Sequence, residues 1–116
     1  MIKISVVIIS YNEEPNIGRC IDSVKSVADE IVVVDSFSKD NTKAICHSKG
    51  VSFYENEFLG FAQQKNFAAS LAKCDYILSL DADEYLSADL TRSILAIKGD
   101  CRYDGYMMNR LSSYAG

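Results

Sequence analysis

Residues 2–10 read IKISVVIIS, and the fold predicted for this chain follows from that run. The run is rich in β-branched residues and apolar on both faces, which is typical of a central parallel strand covered by helices on each side. Pro15, just beyond it, suits the first turn of a helix. Apolar residues then recur at helical spacing, at Ile17, Cys20, Ile21, Val24 and Val27. The chain therefore opens with a strand, a loop and a helix.

The same unit recurs along the chain. EIVVVD at 30–35 has the pattern of a second buried strand, and the polar residues 36–41 lead to a helix predicted over 42–49. Two more helices are predicted, one that opens at Gly60 and one that Ser87 caps and Gly99 ends. Further strands are predicted at residues 51–55, 76–80 and 105–110.

Length and composition agree with one domain built from such units. With 116 residues, of which 48% are hydrophobic and 24% charged, the chain can bury the core of one sheet and carries no signature of disorder. Strands that alternate with helices predict an α/β fold, here a Rossmann-like parallel sheet with helices on both faces. We expect one unit over residues 1–116.

The charge balance limits the possible partners. The formal net charge is −4 and no stripe of Lys and Arg is present, so the electrostatic footprint of nucleic-acid binding is missing. We therefore expect no nucleic-acid partner. Phosphate groups would have to be bound locally, through a metal ion, backbone N–H groups or a single Lys or Arg.

Two further features bear on the compartment. The four cysteines, Cys20, Cys46, Cys74 and Cys101, form no Cys-x-x-Cys pair, so we interpret them as reduced, small hydrophobic residues and not as a zinc or redox site. The apolar run at 4–9 is too short to span a bilayer and lacks a secretory cleavage signal. A cytoplasmic location is expected.

Polar and acidic residues follow three of the predicted strands, at residues 11–13, 35–36 and 81–83. The carboxyl ends of parallel strands meet at one edge of a sheet, which is where ligands of such sheets bind. Three loops would then form one acidic cleft. Carboxylates repel phosphate unless a cation intervenes, and Mg²⁺ is typically held by one or two carboxylates together with substrate phosphates. The cleft predicts a ligand made of a metal ion and a diphosphate.

The individual residues leave alternatives open. An extended backbone would point Asp81 and Asp83 to the same side, although acids at a strand end can also be merely solvated. Asp35 could order the loop at 36–41 or accept hydrogen bonds from a ribose or base. Lys65 lies on the polar side of a helix and is a weak signal by itself. His47, the only histidine, is assigned no catalytic role.

Four motifs occur in a recognisable order: SVVIISYNEE at 5–14, VVDSFSKDNT at 33–42, QKN at 64–66 and LDADE at 80–84. Together they resemble glycosyltransferase family 2 over nearly the whole chain. Within that family, residues 60–66 look most like the bacterial lipopolysaccharide-core glucosyltransferases. The resemblance implies a GT-A fold, with this chain as its N-terminal, nucleotide-binding part.

The resemblance also implies roles for single residues. The metal ligand would be Asp83, which would hold Mg²⁺ or Mn²⁺ against the diphosphate of a UDP-linked sugar. Asp81 would face the ribose and the donor sugar. The residues of the nucleotide site as a whole would be Tyr11, Asn12, Glu13, Asp35, Lys65 and Asp81.

The family transfers sugar with inversion, and a general base takes the proton of the acceptor hydroxyl. None of the later aspartates, Asp89, Asp100 and Asp104, matches the family's base motif, so the base is expected beyond Gly116 and the domain is expected to be incomplete at its C-terminus. The acceptor would be a glycan or lipid in cell-envelope polysaccharide or lipopolysaccharide synthesis. Peripheral inner-membrane association of the full-length protein and self-association through an uncovered surface are further expectations.

Three rival functions are compatible with parts of the pattern. A receiver-type signalling domain, phosphorylated on Asp35 or Asp81, fits the length and the alternation, but it needs an acidic pair after the first strand and a Lys after a late strand, and residues 100–105 offer no suitable Lys. A nucleotidyltransferase would carry a Gly-rich, basic loop where this chain has Tyr11 to Glu14. A catalytically inactive binding domain is the third alternative.

Overall fold

The computed structural model describes residues 2–98, which form four strands and four helices in alternation. The strands are β1 (Ile4–Ser10), β2 (Glu30–Asp35), β3 (Ser52–Glu55) and β4 (Tyr76–Asp81). The helices are α1 (Glu14–Val24), α2 (Thr42–Ser48), α3 (Phe61–Ser70) and α4 (Ala88–Lys98). In this part of the chain, no helix is long and apolar enough to cross a membrane.

The four strands form one parallel sheet in the order β3-β2-β1-β4. β1 pairs with β2 on one side and with β4 on the other, and all seven of its residues are buried. The register sets Ser10 opposite Asp35 and Ile9 opposite Asp81. The carboxyl ends of the three strands that were expected to carry the site are therefore neighbours.

Alternate residues of β1, β2 and β4 pack into two apolar layers. Ile4, Val6 and Ile8 of β1 face a layer that also holds apolar residues of α1, α2 and α4. Val7 and Ile9 face the opposite layer, which contains Ala68 of α3. α3 lies on this second face because the chain reverses its direction across the sheet after β3, and a right-handed crossover then passes on the other side. The prediction of helices on both faces is confirmed.

The element boundaries differ from the predicted ones by one or two residues. β1 begins at Ile4, although Ile2 is also buried and its N–H donates to the carbonyl of Lys98 at 3.4 Å. β4 extends to Asp81, so this acid is part of the strand and does not follow it. The predicted strand at 105–110 and the helix end at Gly99 lie outside the described residues.

Asp29 joins the amino-terminal edge of the sheet to the end of α4. Its Oδ2 accepts hydrogen bonds from the Ile4 N–H at 2.8 Å and from the Lys98 Nζ at 2.6 Å. The hydrogen bond from Lys98, and then the one from Ile4, lower the pKa of the Asp29 carboxyl from its ordinary value of 3.8. The carboxylate form is thus the form that the fold favours.

We expect this contact to make stability depend on pH at the acid end. A group with a lowered folded-state pKa stabilises the fold fully above its unfolded value of 3.8, and the stabilisation is lost as the pH falls through the lower folded value. Thermal melts between neutral pH and about pH 3 should show a smaller loss of Tm for Asp29→Asn than for the wild type. Asp75→Asn, at an exposed aspartate, is the control and should follow the wild-type curve. Identical acid dependence in all three proteins would contradict this role of Asp29.

Candidate functional site

A cleft of about 340 Å³ lies at the carboxyl edge of the sheet. This volume is at the lower end of the range for small-molecule sites, about 300–1,000 Å³. A larger cavity of about 560 Å³ lies at the amino-terminal edge, but ligands of parallel sheets bind beyond the carboxyl ends of the strands. The carboxyl-edge cleft is lined by Ile9, Ser10, Tyr11, Glu13, Ser36, Phe58, Phe61, Gln64, Asp81, Ala82 and Asp83.

Residues 81–84, at the end of β4, form a turn that we call the acidic turn. The Glu84 N–H donates to the Asp81 carbonyl at 2.9 Å, and the Glu84 Oε1 accepts from the Asp81 N–H at 2.7 Å. The expectation of an extended backbone through Asp83 is therefore wrong, because Glu84 folds back and closes the turn. Asp81 and Asp83 nevertheless line the same cleft, with Asp83 exposed at the surface.

Asp81 forms a long ion pair with Lys65 of α3. The Lys65 Nζ lies 3.7 Å from the Asp81 Oδ1, which is too long for a hydrogen bond, and 46% and 41% of the two side chains are exposed. An ion pair this exposed contributes at most about 1 kcal/mol to stability. Although much of the Asp81 side chain is exposed, its Oδ1 is buried and accepts no hydrogen bond from residues 2–98. A cation or a ligand hydroxyl would satisfy a buried carboxylate oxygen of this kind.

The loops after β1 and β2 hold each other through Asn12. This residue has a left-handed backbone with φ 50°. Its N–H donates to the Ser38 Oγ at 2.7 Å, and its Oδ1 accepts from the Lys39 N–H at 2.7 Å. Asn12 thus contacts the second loop and is not among the residues that line the cleft. Its nucleotide-binding role stays a prediction.

The amino-terminal end of α1 is capped by Asp40 of the same second loop and by Thr42, the first residue of α2. The Glu13 N–H donates to the Thr42 Oγ1 at 3.0 Å, and the Glu14 N–H donates to the Asp40 Oδ2 at 3.1 Å. A hydrogen bond from the Thr42 hydroxyl contributes most to lowering the pKa of Asp40. Since Pro15 has no N–H, these contacts use donors that would otherwise attract an anion to the helix. The amino-terminal end of α1 therefore connects the loop after β1 to the loop after β2.

Asp35 lies below the cleft and is fully buried. Its Oδ1 accepts from the Ser10 Oγ at 2.7 Å and from the Ser38 Oγ at 2.6 Å, and its Oδ2 accepts from the Ser38 N–H at 2.7 Å. These contacts belong to the loop-ordering alternative considered for this residue. A direct contact between Asp35 and a nucleotide stays a prediction.

Sequence analysis assigned no site role to Phe58, Phe61 or Gln64, which all line the cleft. Phe58 and Phe61 are 46% and 66% exposed, and their rings meet edge to face with centroids 5.1 Å apart. Gln64 is 1% exposed, although its neighbour Lys65 was predicted to lie on the polar side of the same helix. The apolar run FLGF at 58–61, between polar residues 55–57 and 63–66, was the available signal.

Cys20 lies beneath the acidic turn, and the charge of that turn affects the pKa of its thiol. Its Sγ is 3.8 Å from the Asp81 carbonyl oxygen. Burial, together with the negative charges of Glu84, Asp83 and Asp81, raises the pKa of the Cys20 thiol to about 12. The thiolate is the reactive form of cysteine, so Cys20 is an inert packing residue at neutral pH. Cys46 and Cys74 are also free thiols, as interpreted from the sequence.

The metal expectation can be tested against the donor set. Among residues 2–98, no group of three or more His, Cys, Asp or Glu side chains could hold a metal ion unaided. Mg²⁺ in substrate sites does not need such a group, since one or two carboxylates and the phosphates of the ligand suffice. The orphaned Asp81 Oδ1 and the exposed carboxylate of Asp83 fit that kind of site.

The strand order excludes the signalling alternative. Receiver domains have the order 2-1-3-4-5, in which the first and third strands are neighbours. Here β3 pairs with β2 and β4 pairs with β1. Asp35 is also fully buried and hydrogen-bonded, so it cannot accept a phosphoryl group from a ligand in solvent. The receiver hypothesis is wrong for this chain.

Fold and site together define a Rossmann-like α/β domain of the 3-2-1-4 strand order, with an acidic ligand cleft where the strand order reverses. Residues 5–116 match the model of the family described as glycosyl transferase family 2. The chain belongs to this family. Both the fold prediction and the resemblance read from the four motifs are confirmed.

Two relatives illustrate the similarity. An uncharacterized glycosyltransferase of Rickettsia bellii (strain RML369-C) is 45% identical over 105 residues, which cover 90% of this chain and 36% of that protein. The lipopolysaccharide core biosynthesis glycosyltransferase LpsC of Rhizobium meliloti (strain 1021) is 38% identical over 92 residues, covering 75% of this chain and 34% of LpsC. The chain thus spans little more than a third of the length of these relatives.

Solved structures share the fold. Glucosyl-3-phosphoglycerate synthase from Mycobacterium tuberculosis, in complex with Mn²⁺, UDP and glucosyl-3-phosphoglycerate, has a TM-score of 0.64 and 26% identity over 71% of this chain and 34% of its own. Mannosyl-3-phosphoglycerate synthase from Rubrobacter xylanophilus has a TM-score of 0.69 and 26% identity over 81% of this chain and 35% of its own.

The contacts of Asp35 lead to a stability prediction. Asp35→Ala should lower the free energy of unfolding by about 3 kcal/mol, because it removes a charged acceptor and leaves buried donors unsatisfied. Asp83→Ala, at an exposed carboxylate of the same cleft, should change it by less than about 0.5 kcal/mol. Urea denaturation of both variants is the measurement. Equal effects at the two positions would show that Asp35 does not order the loops.

Proposed function

We propose that this chain forms the donor-binding part of a glycosyltransferase that transfers sugar from a uridine diphosphate sugar, with a divalent metal ion and inversion at the anomeric carbon. The observation that carries the proposal is the carboxyl-edge cleft, which brings Tyr11, Glu13, Asp81 and Asp83 together from two strand ends. The acceptor is proposed to be a glycan or lipid of the cell envelope, in polysaccharide or lipopolysaccharide synthesis.

The base and ribose of the nucleotide are assigned to the β1 side of the cleft. Tyr11 is 51% exposed and offers a ring face to a planar base. Glu13 lines the same wall and is an acceptor for ribose hydroxyls. Asn12 and Asp35 complete the nucleotide site by fixing the two loops that carry these groups. Their contribution is to pre-organise the site before the ligand arrives.

The diphosphate is assigned to the acidic turn after β4. Asp83 would ligate Mg²⁺ or Mn²⁺. The Asp81 Oδ1 would contact the ribose, the donor sugar or the ion. When bound, the ion would neutralise the charge that develops on the departing diphosphate. Lys65, whose Nζ lies 3.7 Å from the Asp81 Oδ1, supplies a positive charge next to this carboxylate. The synthase solved with Mn²⁺ and UDP supports this choice of ligands.

Sugar transfer itself requires a second half-site. An acceptor oxygen would form a bond to the anomeric carbon while the bond from that carbon to the β-phosphate oxygen breaks, and UDP would leave with the bonding electrons. The proton of the acceptor hydroxyl needs a base within hydrogen-bond reach, which we place beyond residue 116. The similarity to LpsC supports an envelope acceptor. A cytoplasmic enzyme, associated peripherally with the inner membrane, is the location that we propose for the full-length protein.

Calorimetric titration with UDP tests the donor site directly. We expect the wild-type chain to bind UDP in the presence of Mn²⁺ and to lose most of this affinity when a chelator replaces the metal. Asp83→Ala should weaken binding by about tenfold or more, because a hydrogen bond or metal contact to a charged group contributes about 1.5–3 kcal/mol.

The matched control is Asp75→Ala, which removes an exposed aspartate outside the cleft. Its affinity for UDP should equal that of the wild type. Wild-type binding that is indifferent to the chelator would contradict metal dependence, and an absence of UDP binding to the wild type under every condition would contradict the donor site.

A further inference from the structure

We propose that Gln64 is a positioning residue that sets the width of the cleft at the end where the nucleobase binds. This inference rests on the proposed function, because it names the residue that shapes the base end of the same cleft. Gln64 is a polar residue with only 1% of its surface exposed, in a helix whose other fully buried residue is Ala68. A buried amide of this kind requires hydrogen-bond partners.

Both partners of Gln64 come from other segments. Its Oε1 accepts a hydrogen bond from the Asn56 Nδ2 at 3.1 Å, and its Nε2 donates to the Ser36 Oγ at 3.0 Å. Ser36 follows β2 and Asn56 follows β3, while Gln64 lies in the second turn of α3. One side-chain amide therefore connects the ends of two strands to the helix that covers them.

The partners are themselves fixed to the sheet. The Ser36 N–H donates to the Ser10 carbonyl at 3.0 Å, and the Asn56 N–H donates to the Asp35 carbonyl at 2.9 Å. The amide of Gln64 is thus tied to the carboxyl ends of β1, β2 and β3 through one intermediate residue each. A displacement of Gln64 would therefore also move the edge of the sheet at which the loop after β1 begins, at Tyr11.

The contact between Asn56 and Gln64 also closes the segment that carries the aromatic wall. Phe58 and Phe61 lie between these two residues, and both line the cleft that Tyr11 lines from the β1 side. Gly60, between the phenylalanines, has φ 134°, and a Cβ there would lie 2.4 Å from the Gln63 Oε1. The segment is therefore a short closed loop that holds two exposed rings in place.

A planar base is the ligand that such a wall fits. Aromatic side chains bind bases by stacking, and each stacked base contributes about 1–3 kcal/mol. The acidic turn, in contrast, lies at the end of β4. Within residues 2–98, no hydrogen bond joins it to the side chain of Gln64. Loss of the Gln64 bridge should consequently disturb the base end and leave the diphosphate end intact.

The test compares two probes on the same variants, UDP and inorganic pyrophosphate, each titrated in Mn²⁺ buffer. Gln64→Leu should weaken UDP binding by about tenfold, as expected for the loss of hydrogen bonds that hold a site in shape. Its affinity for pyrophosphate should stay within about twofold of the wild type, because the acidic turn is untouched. Gln63→Leu, the exposed neighbour on α3, is the matched control for both probes.

A second variant guards against a failure of Gln64→Leu to fold. Asn56→Ala breaks the same bridge from a partly exposed position, and it should reproduce the selective loss of UDP affinity. If both single variants fold, the double variant should bind UDP no more weakly than the single variant with the lower affinity. The reason is that both substitutions remove the same bridge.

Two results would overturn the inference: UDP affinity that is unchanged in both variants, or UDP and pyrophosphate affinities that fall by the same factor. The latter would give Gln64 a merely structural role. Failure of the wild type to bind UDP would instead contradict the proposed donor site, on which this inference depends.

Discussion

Parallel pairing of β1 with both β2 and β4 is the constraint on which the carboxyl edge depends. The pairing sets Ser10 opposite Asp35 and Ile9 opposite Asp81, so the loops that follow these strands must start side by side. Because β1 is buried on both faces, it is held between its two neighbours, and a shift of its register against β2 or β4 would separate the loops that start at their ends. The geometry of the cleft is in this sense a property of the core.

The acidic turn concentrates negative charge at one end of the cleft. Burial raises the pKa of the Cys20 thiol, and the charges of Glu84, Asp83 and Asp81 raise it further, while Lys65 is the only cation for which the described residues show an ion pair with Asp81. Sites that violate the rules of stable packing are often functional. The loops after β1 and β2 contribute differently, since their polar groups bond mainly to each other and give the site a rigid frame.

Sequence analysis could predict the features that depend on local patterns. The buried strands, the helices on both faces and the meeting of three strand ends followed from apolar periodicity and from the geometry of parallel sheets. The turn at Asp83 was missed because it depends on the side chain of Glu84, which folds back onto the Asp81 N–H. Gln64 was missed because its partners are 8 and 28 residues away in sequence, and no local pattern encodes such contacts. The roles of single acids in ligand binding depend on a molecule that the sequence does not contain.

The placement of α3 has a consequence for how the family can vary in length. Gln64 and Ala68 are one helical turn apart on the same side of α3, so one faces the cleft while the other fills the apolar layer below it. Inserting or deleting a single residue between them would rotate one against the other by about 100°. After that change, Ala68 could not fill the apolar layer while Gln64 lines the cleft. The length of α3 between residues 64 and 68 is therefore fixed, whereas residues added in the loops outside the helix alter neither angle.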